Sequence, residues 1–179
     1  MRQAAVRGVR LHKLFERMPA VPSKMRAAVA DRWLQESAGE GDPLIRKDIV
    51  ATAVEIIEHP DFAEIFSADA LAEAPIAGIV GDRVVAGTVD RLLIKDSEIF
   101  VVDFKTGRRV PRSVDKVSIH HKAQMGAYAA LLTNIFPGRV VRAALLYTHG
   151  PSLIELPGDV LRAYKPGFSD QQQELADGG

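Results

Sequence analysis

The sequence predicts an α/β domain, with a central mixed sheet flanked by helices and a helical N-terminal third. Three observations carry this. Apolar residues recur at helical spacing as far as Glu58, the middle of the chain alternates with a period of two, and one long helical segment then separates that stretch from two further apolar strands. A chain of 179 residues can bury one ordinary core. A single domain is expected over residues 1–168, helical over 1–74 and with a sheet core over 75–157. Residues 169–179 read as a flexible polar tail.

Val6, Val9, Leu11, Leu14, Phe15 and Met18 mark the first helix, which Pro19 and Pro22 close. A second runs from Ser23 to Ser37 with Ser23 as its cap, and a third from Leu44 to Glu58, before Pro60. Phe62, Ile65 and Phe66 suggest one more helical turn. Strands follow over 75–80, 83–94 and 98–105, and turns at Asp82 and at Lys95-Asp96-Ser97 make them an antiparallel meander. A basic linker leads to a helix over 119–136, which Pro137-Gly138 stops. Strands over 139–148 and 152–156 complete the pattern, with a last helical turn over 160–164. The helical crossover lets the first of these strands join the sheet in parallel.

The 23 basic and 23 acidic side chains cancel, which argues against a protein that grips nucleic acid by bulk charge. The cancellation is uneven. From Lys105 to Lys122 six cations face one acid, Asp115, leaving that stretch at +5. No cysteine is present, so disulfides, thiolate zinc sites and iron–sulfur clusters are excluded. No segment has the apolar length of a membrane span or the build of a signal peptide, and a cytoplasmic protein with no membrane partner is expected.

The chemistry concentrates at Gly87-Thr88-Val89-Asp90 and Asp103-Phe104-Lys105-Thr106-Gly107. Strand side chains alternate, so Asp103 and Lys105 share one face and Phe104 takes the other. Asp90 lies 13 residues before Asp103, across a short turn, so the two carboxylates can share one ion. Charges at the end of an apolar strand are costly unless paired or bound to metal. Two acids and a lysine in that position suggest a magnesium site for phosphate chemistry, with Lys105 orienting water or stabilising developing charge.

These residues resemble the PD-(D/E)xK nuclease superfamily, and more narrowly the AddA/RecB type. That type is the C-terminal nuclease domain of bacterial double-strand-break repair helicase–nucleases. Arg7-Gly8-Val9-Arg10-Leu11-His12 resembles its Arg-Gly-x-x-x-His opening, Asp103-Phe104-Lys105-Thr106-Gly107 its Asp-Phe/Tyr-Lys-Thr core, and Gln124-Met125-Gly126-Ala127-Tyr128 its Gln-x-x-x-Tyr motif. The resemblance covers about residues 7–157. It implies a restriction-endonuclease-like core and a magnesium-dependent deoxyribonuclease, an exonuclease of recombinational repair, with manganese as a possible substitute. It also implies metal ligands His12, Asp90 and Asp103, and catalytic residues Asp90, Asp103, Lys105, Gln124 and Tyr128. Single-stranded DNA fed by a helicase motor in the same parent chain, and a partner nuclease subunit, are the implied partners. No Gly-x-x-x-x-Gly-Lys-Ser/Thr of a motor is present and the first motif begins at Arg7, so an excised domain is expected.

Plainer readings stand beside these. Asp90 can simply end a strand, Asp103 and Lys105 can be a surface ion pair, and His12 can be an ordinary half-buried histidine. Gln124 and Tyr128, one helical turn apart, can be the polar edge of a core helix. Arg108, Arg109, Arg112, Lys116 and Lys122 read as contacts to the DNA backbone or as a solvated loop. Adjacent His120 and His121 face different directions and read as phosphate contacts or plain surface, not as ligands. Glu73, just before the first expected strand, is a further candidate acid. Two other functions remain open: a catalytically inactive nuclease fold serving as a DNA-end or partner-binding scaffold, and a standalone restriction- or resolvase-type endonuclease.

Overall fold

The computed structural model describes residues 2–166; the tail expected over 169–179 lies outside them. Helices α1 (Arg2–Arg17), α2 (Ser23–Glu36) and α3 (Pro43–Ile57) form the N-terminal layer. The buried stripe of α1 is Leu11, Leu14 and Phe15, continued by Met18 in the 3-10 turn Met18–Ala20. Val9 is 64% exposed, and Val6 is exposed too, so the apolar stripe begins a turn later than its periodicity suggests. Ser23 is not a cap. It is the first helical residue of α2, and its hydroxyl donates to Glu58 Oε1 at 2.6 Å, tying α2 to the end of α3. In α3, Asp42 caps the helix by accepting from the amides of Leu44 and Ile45, and Pro43 occupies the first turn, where its missing N–H costs nothing.

Five strands make one mixed sheet in the order β1-β2-β3-β4-β5. Strands β1 (Ala70–Val80), β2 (Arg83–Ile94) and β3 (Glu98–Lys105) form the expected antiparallel meander. Helix α4 (Ile119–Ile135) crosses over so that β4 (Val140–Tyr147) pairs with β3 in parallel, and β5 (Ser152–Leu156) closes the other edge antiparallel to β4. Helix α5 (Gly158–Ala163) packs back against α4. Strand β1 starts at Ala70, inside the region expected to be helical. Pro75 lies within it, which an edge strand tolerates because its outer side needs no donor.

Hydrophobic residues fill both faces of the sheet. Phe100, Val102, Phe104 and Leu146 pack under α1–α3, while Ile99, Val101, Leu145 and Tyr147 pack under α4. Phe104 takes the N-terminal face, as alternation requires, 4.9 Å from the Phe15 ring and 5.7 Å from that of Phe66. Such aromatic pairs add about 0.5–1.5 kcal/mol each beyond the area they bury. Arg91 is buried among them over the Phe66 ring, and its guanidinium donates to the carbonyls of Ala70 and Phe15. A cation on the last turn of α1 complements the helix dipole and seats that helix on β2.

Strands β1 and β2 switch faces once. Ala70 and Leu93 are cross-strand partners in the N-terminal core, while Ala74 and Val89, four residues away along each strand, belong to the core under α4. Unbroken alternation would keep residues four apart on one side. The switch falls between the pairs Ala72–Arg91 and Ala74–Val89, at Glu73 and Asp90. Glu73 has φ 50°, and among the described residues it alone is a non-glycine with positive φ. Pairing of β2 with β3 also ends there, at Arg91–Val102.

Candidate metal centre

The switch turns two carboxylates toward α1. The Asp90 carboxylate, 9% exposed, divides its oxygens: Oδ2 accepts the Phe104 backbone N–H at 2.5 Å, in place of a ladder bond, and Oδ1 lies 3.0 Å from His12 Nδ1. One ligand atom each from His12, Glu73 and Asp90 fit within 4.8 Å of one another, a set of one imidazole and two carboxylates suited to a divalent ion.

Glycine brings α1 close enough. A Cβ on Gly8 would lie 2.5 Å from Thr106 Oγ1, so the helix touches the end of β3 where it has no side chain, and His12 lies one turn further on. Arg7 holds the same turn from behind, through Asp48 at 3.0 Å and Thr52 at 2.9 Å on α3. The Arg-Gly-x-x-x-His pattern thus has physical content: an anchor, a close approach and a ligand.

Asp103 and Lys105 share the α4 face. Asp103 Oδ2 and Lys105 Nζ are 2.7 Å apart, and Nζ also donates to Gln124 Oε1 at 2.8 Å. Gln124 Nε2 in turn lies 3.5 Å from the Tyr128 hydroxyl. That hydroxyl occupies the space over Gly87, where a Cβ would come within 2.4 Å of it, so the glycine of Gly-x-x-Asp makes room for the tyrosine of Gln-x-x-x-Tyr. Burial raises the Asp103 carboxyl above its ordinary pKa, against Lys105 and with the help of Asp90. Burial would lower His12, but its hydrogen bond to Asp90 and the charges of Asp90, Asp103 and Glu73 outweigh that and raise it.

The placements differ from the sequence reading in three respects. Glu73, there only a candidate, joins His12 and Asp90, whereas Asp103 turns one oxygen to the lysine and is not among the three converging groups. Lys122 does not face solvent. It is 9% exposed, its ammonium 3.4 Å from the Asp115 carbonyl and 5.9 Å from the Tyr164 ring, so it is unavailable to a DNA backbone. Arg108, Arg109, Arg112 and Lys116 are exposed on the loop after β3. Third, Tyr147, absent from the sequence-derived site, stands beside Lys105 in the parallel register.

A mixed sheet flanked by helices, with acids and a lysine gathered on its adjacent strands β1–β3, defines a restriction-endonuclease-like α/β fold. The chain belongs to the PD-(D/E)XK nuclease superfamily, which it matches over residues 1–176. A candidate exonuclease from Eubacterium rectale, solved by crystallography, is similar over 98% of this chain and 68% of its own, with TM-score 0.60 and 11% identity. A second solved protein, SSO0001, overlaps 92% of this chain and 74% of its own at 17% identity. Its TM-score is 0.35. No curated protein matches the sequence. Among the described residues, no helix is long and apolar enough to cross a membrane.

Two outcomes test this geometry. Glu73→Gly relieves a left-handed backbone worth about 1–2 kcal/mol, so the metal-free protein should melt a few degrees higher while manganese binds about tenfold more weakly. A lower melting temperature or unchanged manganese affinity contradicts the placement. Because His12 must shed its extra proton to bind a metal, manganese affinity should fall as pH drops through its raised pKa, with protons released on binding in calorimetry. An affinity flat between about pH 6 and 8 contradicts it.

Proposed function

We propose that this protein is a divalent-metal-dependent deoxyribonuclease, an exonuclease module of the AddA/RecB type that degrades DNA strands delivered by a helicase during recombinational repair. The observation that carries the metal-dependent reading is the convergence of His12, Glu73 and Asp90 beside the Asp103–Lys105 pair. Superfamily membership supports phosphodiester hydrolysis. The four motifs, in the order Arg-Gly-x-x-x-His, Gly-x-x-Asp, Asp-Phe-Lys-Thr-Gly and Gln-x-x-x-Tyr, support the narrower type, and with it a cytoplasmic setting and a partner nuclease subunit.

His12, Glu73 and Asp90 would hold magnesium or manganese, with Asp103 beside them as a further candidate ligand. Such an ion, when bound, neutralises phosphate oxygens and lowers the pKa of water. The protein supplies the rest. Lys105, pinned between Asp103 and Gln124, holds one cation at the edge of the acid cluster, where it meets the charge that builds on the phosphate as water attacks. Gln124 fixes the lysine and Tyr128 backs Gln124, so the ammonium is positioned before substrate arrives. The exposed arginines after β3 offer phosphate contacts along the strand.

Labelled single-stranded DNA, incubated with magnesium, manganese or chelator, tests this directly. Cleavage should require the metal. Asp103→Ala should lose metal affinity and cleavage together, whereas Lys105→Ala should keep the affinity and lose about 10²–10³ in rate. Cleavage in chelator, or full activity in Asp103→Ala, contradicts the reading.

A further inference from the structure

Beside Lys105, on the side away from the acid cluster, lies a histidine that the metal-centred account does not use. His121 Nδ1 is 3.3 Å from the Tyr147 hydroxyl. Tyr147 is 2% exposed and is the register partner of Lys105 on the adjacent parallel strand, so both side chains face α4. His121 lies three residues before Gln124, on the same side of α4 as the glutamine that holds Lys105. A buried phenol O–H needs an acceptor, and Nδ1 is the one hydrogen-bond partner of this hydroxyl among the described residues. The tyrosine therefore donates, Nδ1 accepts, and the neutral ring carries its hydrogen on Nε2. That nitrogen makes no hydrogen bond among the described residues, and the ring is only half-buried.

We propose that His121 is a substrate-contacting residue, its Nε2–H donating to a phosphate oxygen of the bound DNA strand next to Lys105, with Tyr147 as the positioning residue that fixes the donor tautomer. The inference rests on the nuclease reading and adds to it a neutral donor beside the lysine. Burial, then Lys105 and His120, lower the pKa of His121, which favours the same neutral form. A neutral donor suits this place, since a second cation against Lys105 would be costly before substrate arrives.

The test measures binding of a labelled single-stranded oligonucleotide as a function of salt, in calcium, alongside cleavage in magnesium. His121→Ala should weaken binding about tenfold, as expected for a lost hydrogen bond to a charged group, with the log–log salt slope unchanged because no counterion-displacing cation is removed. Arg108→Ala with Arg109→Ala, the cationic control, should instead flatten the slope by roughly two. His121→Gln, which keeps an N–H donor, should recover most of the affinity. Nitrogen NMR of the wild type should show the Nε2–H tautomer of His121, and Tyr147→Phe, which barely alters the core, should mix the tautomers. Binding within twofold of wild type in His121→Ala, equal losses in Gln and Ala, or an Nδ1–H tautomer would each overturn the proposal. If the wild type binds DNA through His121 but never cleaves it, the nuclease reading fails and the contact stands. If the wild type cleaves and His121→Ala is indifferent, the contact alone fails.

Discussion

One carboxylate joins the three elements on which the site depends. Asp90 accepts the amide of Phe104 with one oxygen and meets His12 with the other, so β2, β3 and α1 converge on a single side chain. The backbone bond it makes occupies the place where the β2–β3 ladder would otherwise continue, so the strands can part without leaving a buried N–H unsatisfied. Parting opens the end of the sheet, and the face switch in β1 and β2 turns Glu73 toward the gap. Asp90 is thus both a structural cap and a candidate ligand, and loss of its carboxylate would disturb the register as well as the chemistry.

The cost of the arrangement is concentrated at a few positions. Glu73 keeps an unfavourable backbone conformation, and Asp103 is buried close to Asp90, with Lys105 and, more weakly, His12 offsetting its charge. Strain and crowded charge of this kind cluster at functional sites, because a group that has to meet a ligand is not free to relax. The two glycines do the opposite work. Gly8 and Gly87 withhold a Cβ where Thr106 and the Tyr128 hydroxyl come closest, and so let α1 and α4 bring His12 and the lysine-holding residues to the same strand ends.

The architecture was largely legible in the sequence because its signals are local. Period-two alternation placed Asp103 and Lys105 on one face and Phe104 on the other, and the crossover helix implied the parallel pairing of β4. Glu73 was only a candidate because the sequence puts the start of the strand at Pro75: a proline reads as a boundary until the strand is known to be an edge, and nothing in the sequence marks φ 50°. Lys122 was misplaced because a lysine in a basic stretch reads as solvated, whereas it is buried beneath Tyr164, the residue after α5. The contacts of His12 with Asp90 and of His121 with Tyr147 link distant segments, and only the fold creates them.

The central claim is that His12, Glu73 and Asp90 form one divalent-metal centre. Anomalous diffraction from a crystal soaked in manganese tests it most directly. The account predicts one strong peak within about 2.0–2.3 Å of the His12 imidazole and of the Glu73 and Asp90 carboxylates. A manganese ion held by Asp103 and Asp90 with His12 and Glu73 turned away, or no peak at the end of the sheet, would contradict it.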